Sequence, residues 1–525
     1  VADIVLATFD AKWIHAAFGL RCLRANLGEL RERSAILEFD LQTRAIDAAE
    51  AILALGPRIV GLGVYVWNAT LSLQLARLLK QLRPELLLVL GGPELSYETE
   101  AQEIAQLADH VVRGEADLVF AELCRAHLHG GAEMPRILDA PPPRMEQLAW
   151  PYAEYDARDL EHRVVYVEAS RGCPFTCEFC LSALEIPVRA APLEGFLDEM
   201  QRLLDRGLKH FKFVDRTFNL GQRTPVAILR FFRERWSEGL VLHFELVPDR
   251  LPEALKAEIA AFPPGALHFE VGVQSLDPAT NQRIARRQDD ALLEANLRWL
   301  RAQSGAHVHA DLIAGLPDED LASFARGFDR LRALQPHEIQ VGILKRLRGT
   351  PLAQREREHG LVFSTEPPYE VLRTRALGFE QLQALKRFAR FWDLVANQGR
   401  FEETLPLLLT GESAFASFSA LSEWLWKETR ATHGIAFHRL AELLLRWSIE
   451  QRGVPRDDAG SALARDYLRL GKHDGPPVLR PWLRQIADER ALALASRPRL
   501  ARAAKRQARR GAILEHGNDA SDAEH

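Results

Sequence analysis

A chain of 525 residues has room for about three or four domains. At 47% apolar and 26% charged it can bury large cores, and its net charge of -5 supplies no basic field that would point to nucleic acid or an anionic membrane. No apolar run reaches the length of a membrane span, no basic stretch precedes a greasy one at the N-terminus, and no tandem repeat is visible. The five cysteines, Cys22, Cys124, Cys173, Cys177 and Cys180, make no disulfide framework and fit the reduced thiols of a cytoplasmic protein.

Residues 1–127 alternate strand and helix patterns. Strands are expected at Ile4–Phe9, Ser34–Phe39, Ile59–Val66, Leu86–Leu90 and His110–Val112, with helices at Trp13–Leu27, Asp47–Leu55, Leu71–Leu82 and from Glu115 to about His127. Short apolar strands between amphipathic helices predict a doubly wound, Rossmann-like parallel sheet, whose ligands sit at the strand C-termini. Three segments fall there: the turn after the first strand, Tyr65–Asn68, and Gly91-Gly92-Pro93.

Residues 128–162 read as a connector, because Pro141-Pro142-Pro143 and Pro151 forbid regular helix. A second βα series fills 163–345, with strands expected at Arg163–Glu168, His210–Asp215, His243–Val247, His268–Val273, Val308–Ile313 and Glu338–Leu344. Six such units predict a partial (β/α)6 TIM-like barrel with its chemistry at the strand C-termini. Residues 346–510 become helical from about Thr365 and are rich in Leu, Phe and Trp, which are more often core than recognition surface. The run Arg497–Arg510 is basic, and a solvated helix or frayed end accounts for it more simply than an RNA contact; the polar tail 511–525 is expected to be disordered.

The chemistry concentrates in Cys173-Pro174-Phe175-Thr176-Cys177-Glu178-Phe179-Cys180, directly after the first strand of the second series. Three thiolates can hold a [4Fe–4S] cluster and leave one iron open to chelate a ligand. A zinc knuckle or three unrelated thiols are the alternatives; a zinc site wants a fourth ligand, and the nearest histidine, His162, lies before the loop.

The C-x3-C-x2-C spacing with Phe179 before the last cysteine resembles the cluster loop of the radical S-adenosylmethionine (SAM) superfamily. Further segments resemble the same barrel: Phe244-Glu245-Leu246-Val247-Pro248, Gly272-Val273-Gln274-Ser275, Arg286, and Asp311-Leu312-Ile313-Ala314-Gly315. The resemblance implies that Cys173, Cys177 and Cys180 hold the cluster, and that Glu245, Gln274, Ser275, Arg286 and Asp311 surround SAM. Asp215 stands where many members carry Gly-Gly-Glu, and it is the further candidate for the SAM amino group. Carboxylates and amides suit a ribose diol, and a guanidinium suits a carboxylate.

A Rossmann-like domain ahead of this barrel resembles the cobalamin-dependent radical SAM class, on Gly61-Leu62-Gly63-Val64-Tyr65-Val66-Trp67-Asn68, Gly91-Gly92-Pro93 and Gly114-Glu115. Those segments would line the cobalamin slot. The Asp-x-His-x-x-Gly spacing is absent from Asp10-Ala11-Lys12-Trp13-Ile14-His15-Ala16-Ala17-Phe18-Gly19, so His15 is not expected to ligate cobalt. Tyr65 or Trp67, set on one side by strand alternation, is the expected non-ligating residue beneath it. No G-x-G-x-x-G opens the first helix, which argues against a dinucleotide. The C-terminal extension resembles a domain of unknown function, DUF4080, found in one branch of these proteins.

The resemblance implies an enzyme that moves a methyl group from methylcobalamin to an unactivated carbon, after a 5′-deoxyadenosyl radical has made a substrate radical. A rearrangement or cyclisation without methyl transfer, and a cofactor-binding regulator without turnover, are the alternatives. The implied partners are a small-molecule, peptide or carrier-bound substrate and an external flavodoxin- or ferredoxin-type electron donor. Neither membrane nor nucleic acid is expected.

Overall fold

A computed structural model describes residues 2–184, 187–472 and 475–495. The basic run and tail from 497 onward lie outside the described residues. The chain divides into two compact units; the first takes Val1–Val308, Gly315–Glu319 and Ile343–Gly378, and the second takes the rest.

The first unit opens with strand β1 (Ile4–Asp10), helix α1 (Phe18–Ala25), β2 (Ser34–Asp40), α2 (Ala45–Ala54), β3 (Ile59–Gly63), α3 (Ala69–Leu82), β4 (Leu87–Gly91), α4 (Glu103–Leu107), β5 (His110–Gly114), α5 (Asp117–His129) and β6 (Ile137–Ala140). All six strands pair in parallel, in the order β2-β1-β3-β4-β5-β6. Alternate residues of each strand feed opposite faces. Val5, Ala7 and Phe9 join a core with Ala48, Ile52, Leu75 and Leu79, while Ile4 and Leu6 join Leu20, Phe120 and Leu123. The chain reverses its direction across the sheet between β1 and β3, which places a crevice outside their carboxyl ends.

Two local expectations change. The sheet continues into the segment read as a connector, because Val111↔Ile137 through Gly114↔Ala140 form a parallel ladder before the prolines begin. The helix expected from Trp13 starts only at Phe18. The carbonyls that would open it are taken elsewhere: Val164 N–H donates to Ile14 O at 2.8 Å, and Arg163 donates to the carbonyls of Trp13 and His15 at 2.8 and 2.6 Å.

After α6 (Ala157–His162), strand β7 (Val165–Val167) begins the second sheet. A two-residue hairpin follows, β8 (Ser170–Arg171) with β9 (Arg189–Ala190), then α7 (Leu193–Asp205), β10 (His210–Phe213), α8 (Arg223–Glu234), β11 (Val241–Leu246) and β12 (Leu267–Gln274). Strands β7, β10, β11 and β12 are parallel neighbours in that order. Buried and half-buried residues alternate along β11 and β12. Phe211 and Phe213 pack edge-on against Phe232 of α8, so the apolar face is the helix side. Strands β13 (His307–Ala314) and β14 (Glu338–Ile343) lie largely in the second unit.

The second unit also carries helices at Phe379–Trp392, Ala414–Thr429, Phe437–Glu450, Arg456–Arg469 and Arg480–Ala495. Many of its aromatic residues are core: Trp392, Trp447 and Trp482 are buried, Phe388 stacks on Trp392, and Phe418 meets both edge-on. The fully buried Asp466 accepts from Glu403 N–H, Thr404 N–H and the Thr404 hydroxyl at 3.0, 3.0 and 2.7 Å. Among the described residues no helix is long and apolar enough to cross a membrane.

One glycine on the ligand edge is fixed by backbone geometry. Gly92 has φ +107°, and a Cβ there would stand 2.4 Å from Val64 O. The Gly92→Ala change is expected to cost about 2–3 kcal/mol, seen as a lower urea midpoint of the full chain. An unchanged midpoint would show that the loop yields freely.

Candidate active site

A cavity of about 640 Å³ lies at the switch point of the first sheet. One wall is the ends of β1, β3, β4 and β5, through Asp10, Gly63, Tyr65, Trp67, Gly91, Gly92, Pro93, Gly114 and Glu115. The opposite wall belongs to the second sheet. Tyr166, Glu168 and Ser170 reach it from β7 and its continuation, and Val214 and Arg216 from the end of β10. Spacing by two is what an extended chain requires to keep one face on the cavity; Val165, Val167 and Ala169 are buried on the other. A single chamber therefore joins the ligand edge of the first sheet to the mouth of the barrel.

Tyr65 and Trp67 stack with ring centroids 4.5 Å apart and 8° between planes. They do so from a turn, since β3 ends at Gly63, and not from the strand alternation that the sequence suggests. Trp67 Nε1–H donates to Phe9 O at 3.1 Å while 44% of the residue stays exposed, so its position is fixed and it remains open to solvent. Burial pushes the Tyr65 phenol up to about 12. Asn68 is a correction: it is fully buried and absent from the wall. Its amide donates to Thr8 Oγ1, Phe9 O and Gly63 O, and its oxygen accepts from Tyr65 N–H at 2.8 Å and the Ser72 hydroxyl at 3.2 Å. It builds the turn that presents the two rings.

His15, set aside on spacing, does line the cavity. Its Nδ1 is 2.7 Å from the Tyr166 hydroxyl, and burial lowers its pKa. Tyr166 belongs to β7, so His15 is held on the barrel side of the chamber, whereas Tyr65 and Trp67 rise from the sheet side.

Buried charge surrounds the chamber. Burial, and then the charge of Glu38, push Asp10 up to about 7. Burial pushes Glu168 up to about 7 against the opposing guanidinium of Arg171, whose Nε donates to it at 2.8 Å. Arg171 also reaches Glu115 at 2.7 Å and Asp117 at 3.0 Å. Sequence reasoning missed Arg171, Asp117, Glu168 and Arg216, since isolated charges carry no pattern; only pairing across the fold exposes them.

On the barrel side, Cys173 and Cys177 are buried and Cys180 is half-buried on one loop, with Cys180 N–H donating to Cys177 O at 3.1 Å. Burial raises the Cys173 and Cys177 thiols, and the neighbouring thiols raise them further. Arg286 works against this at Cys177, with Nη1 3.8 Å from the sulfur. Among the described residues no group of three His, Cys, Asp or Glu is placed to hold a single metal ion, so a mononuclear knuckle is not preformed. Three thiols on one loop, with a guanidinium beside Cys177, suit a multi-iron cluster, which needs anionic sulfur and carries net negative charge.

Arg286 also donates to Gly272 O, and to Gln288 at 3.0 Å. Gln274 ends β12 with φ +68°, and the buried Ser275 donates to Glu319 at 2.6 Å. Glu245 accepts from Arg216 at 2.9 Å, and burial raises its pKa. Asp215 does not offer itself to a ligand. It is buried, its oxygens accept from Ala169 N–H at 3.0 Å and the Ser170 hydroxyl at 2.6 Å, and burial pushes it up to about 6. It anchors the chain entering the cysteine loop. Asp311 lies in the second unit, with an oxygen 3.0 Å from His309 Nε2.

Residues 4–124 match the B12 binding domain, 167–330 the radical SAM superfamily, and 357–498 a family of unknown function, DUF4080. The chain therefore carries a B12-binding domain, a radical SAM domain and a DUF4080 domain, in that order. It is 26% identical over 302 residues to the uncharacterized methyltransferase PH0819 of Pyrococcus horikoshii, covering 52% of this chain and 63% of that protein. It is 25% identical over 324 residues to the cobalamin-dependent radical SAM methyltransferase TokK of Streptomyces tokunonensis, covering 55% and 47%. The chain thus spans less than two thirds of the length of either relative. The fold is similar to that of the radical SAM methyltransferase TsrM from Kitasatospora setae, solved with tryptophan substrate and a SAM analogue. The TM-score is 0.57 at 18% identity, over 72% of this chain and 80% of that one.

Two measurements check this site. Native Glu168 keeps its proton to about pH 7, whereas an unfolded glutamate loses it near about 4.3. Its contribution to stability is therefore complete below about pH 4.3 and lost as pH rises through about 7. Against wild type, Glu168→Gln should gain relative thermal stability as pH rises across that window; a constant difference would refute the shift. The second is electron paramagnetic resonance of protein loaded with cob(II)alamin. It should lack nitrogen superhyperfine splitting, because His15 stands on the barrel side, and Trp67→His should introduce it where the ring fits. Splitting in the native spectrum would assign a histidine to cobalt.

Proposed function

We propose that this chain is a cobalamin-dependent radical SAM methyltransferase acting on an unactivated carbon. The observation that carries the reading is the shared chamber: the ligand edge of the B12-binding sheet and the mouth of the barrel line one cavity. Gly172, Leu181 and Ser182, which flank the cysteines, line it as well.

When bound, the cluster with SAM supplies a carbon radical, and cobalamin supplies a transferable methyl group. The chain's own residues hold and shield. Cys173, Cys177 and Cys180 are the cluster ligands in this reading, and Arg286 steadies the Cys177 sulfur. Glu245, Gln274, Ser275 and Arg286, all of the first unit, are the SAM contacts in this reading, with Arg216 orienting Glu245. The stacked Tyr65 and Trp67 give a flat apolar bed for a corrin, with Gly91, Gly92, Pro93 and Gly114 around it. Asp10 and Glu168, proton-bearing near neutral pH, can donate to or accept from an amide-rich rim. The substrate is a small molecule, a peptide or a carrier-bound group, and an external flavodoxin- or ferredoxin-type protein delivers the electron.

Anaerobic reconstitution should load about four irons per chain, the content of one [4Fe–4S] cluster, and Ala at all three of Cys173, Cys177 and Cys180 should abolish its spectrum. Incubation of the loaded protein with reductant and SAM should release 5′-deoxyadenosine, and S-adenosylhomocysteine as well if methyl is transferred. Release of 5′-deoxyadenosine alone, with substrate supplied, would favour a rearrangement. Release of neither would leave a binding protein.

A further inference from the structure

The stretch between residues 171 and 189 carries all three cluster cysteines, and its two feet are joined. Ser170 and Arg171 pair antiparallel with Ala190 and Arg189, which puts Arg171 opposite Arg189. Two like charges facing each other across a two-residue hairpin repel. Both guanidiniums reach one carboxylate. Arg171 Nη1 is 2.7 Å from Glu115 Oε2, Arg189 Nη1 is 3.3 Å from the same oxygen, and Arg189 Nη2 bonds Oε1. Arg189 Nη1 further donates to Pro143 O at 2.6 Å, and Arg171 to Asp117 and Glu168.

Glu115 belongs to the other domain. It follows Gly114 at the end of β5, where Gly114 takes φ +86° and a Cβ would stand 2.6 Å from Ala140 O. That turn is fixed by its own backbone, so the carboxylate is presented rigidly. The side chains of Glu115, Arg171 and Arg189 are only 15%, 13% and 19% exposed, and the exposed part of Glu115 and Arg171 looks into the chamber.

We propose that Glu115 is a positioning residue that couples the two cofactor sites. It clamps both feet of the cysteine loop to the wall of the cobalamin cavity, so that filling either site favours filling the other. This rests on the reading of the chamber as the cobalamin site and of the three thiols as the cluster site. The coupling is electrostatic. A ligand filling the chamber excludes water from the Glu115–Arg171 pair and strengthens it, which holds the feet of the loop in the pairing the cluster needs. A formed cluster fixes the loop in turn, and with it the wall. Such linkage is reciprocal in binding free energy.

The test titrates full-length protein with hydroxocobalamin, followed by absorbance, before and after anaerobic cluster reconstitution. In wild type the dissociation constant should fall about tenfold on reconstitution, within the range usual for coupled sites. In Glu115→Gln the ratio of the two dissociation constants should drop to about one, whatever change in cobalamin affinity is common to both states. Arg189→Gln, which removes one link and leaves Glu115 paired with Arg171, should give a smaller ratio than wild type, and it serves if Glu115→Gln fails to fold. A wild-type protein that loads both cofactors with equal affinity in both states would overturn the coupling alone. Full coupling retained in both variants would overturn the role of Glu115. Failure of wild type to bind either cofactor would instead bring down the functional reading beneath it.

Discussion

The structure turns on one buried guanidinium. Arg163, just before β7, donates to the carbonyls of Trp13 and His15 and to the carboxylates of Glu38, Asp10 and Asp159, with its side chain 6% exposed. Glu38 and Asp159 are shared with Arg21, so two cations and three acids form one buried network between the first sheet and the entry to the barrel. Charges this far from water are tolerable only when every partner is present; removing one typically costs on the order of 3–5 kcal/mol. The network binds in sequence as well as in space, because it joins residues from the start of β1's loop to a strand about 150 positions later.

The same network shapes the chamber. By taking the carbonyls of Trp13 and His15 it prevents the first helix from starting early, and Glu38 caps that helix instead by accepting from Ala17 N–H. The non-helical residues His15, Ala16 and Ala17 become wall. Helical propensity in Trp-Ile-His-Ala-Ala is ordinary, so the loss of the expected helix's first turn is a tertiary effect. It also leaves His15 set against the Tyr166 hydroxyl of β7.

What was legible in the sequence follows from what carries a period. Strand alternation placed the barrel strands to within a few residues, and the cysteine spacing placed the loop. Short elements were less legible: Ile137–Ala140 is four residues beside a proline run, too brief to announce a strand. At the ligand edge the structure brings Tyr65 and Trp67 to the cavity for a reason other than the strand alternation expected. Tyr65 and Trp67 do share a side, through stacking in a turn that Asn68 closes, and Asn68 itself is spent on backbone. Asp215 likewise stands at a strand end and serves the chain entering the loop. A polar residue at such an edge has two uses, ligand or turn, and sequence does not separate them; the count of its satisfied hydrogen bonds does.

The segment Val164-Val165-Tyr166-Val167-Glu168-Ala169-Ser170-Arg171 shows how one short stretch serves both sheets. From 165 to 170 its even positions face the chamber and its odd ones the other side, so Tyr166, Glu168 and Ser170 meet the cavity while Val165, Val167 and Ala169 are buried. Each polar member is then tied to a different structure. Tyr166 holds His15 of the first domain, Glu168 holds Arg171, and Ser170 holds Asp215 at the end of β10. The strand cannot slip by one residue without turning all three into the apolar layer. Register here is therefore set from both sides, by apolar packing on one face and by partner-specific hydrogen bonds on the other. The cysteine loop, which begins at the next residue, inherits a starting position fixed relative to both the sheet behind it and the chamber in front.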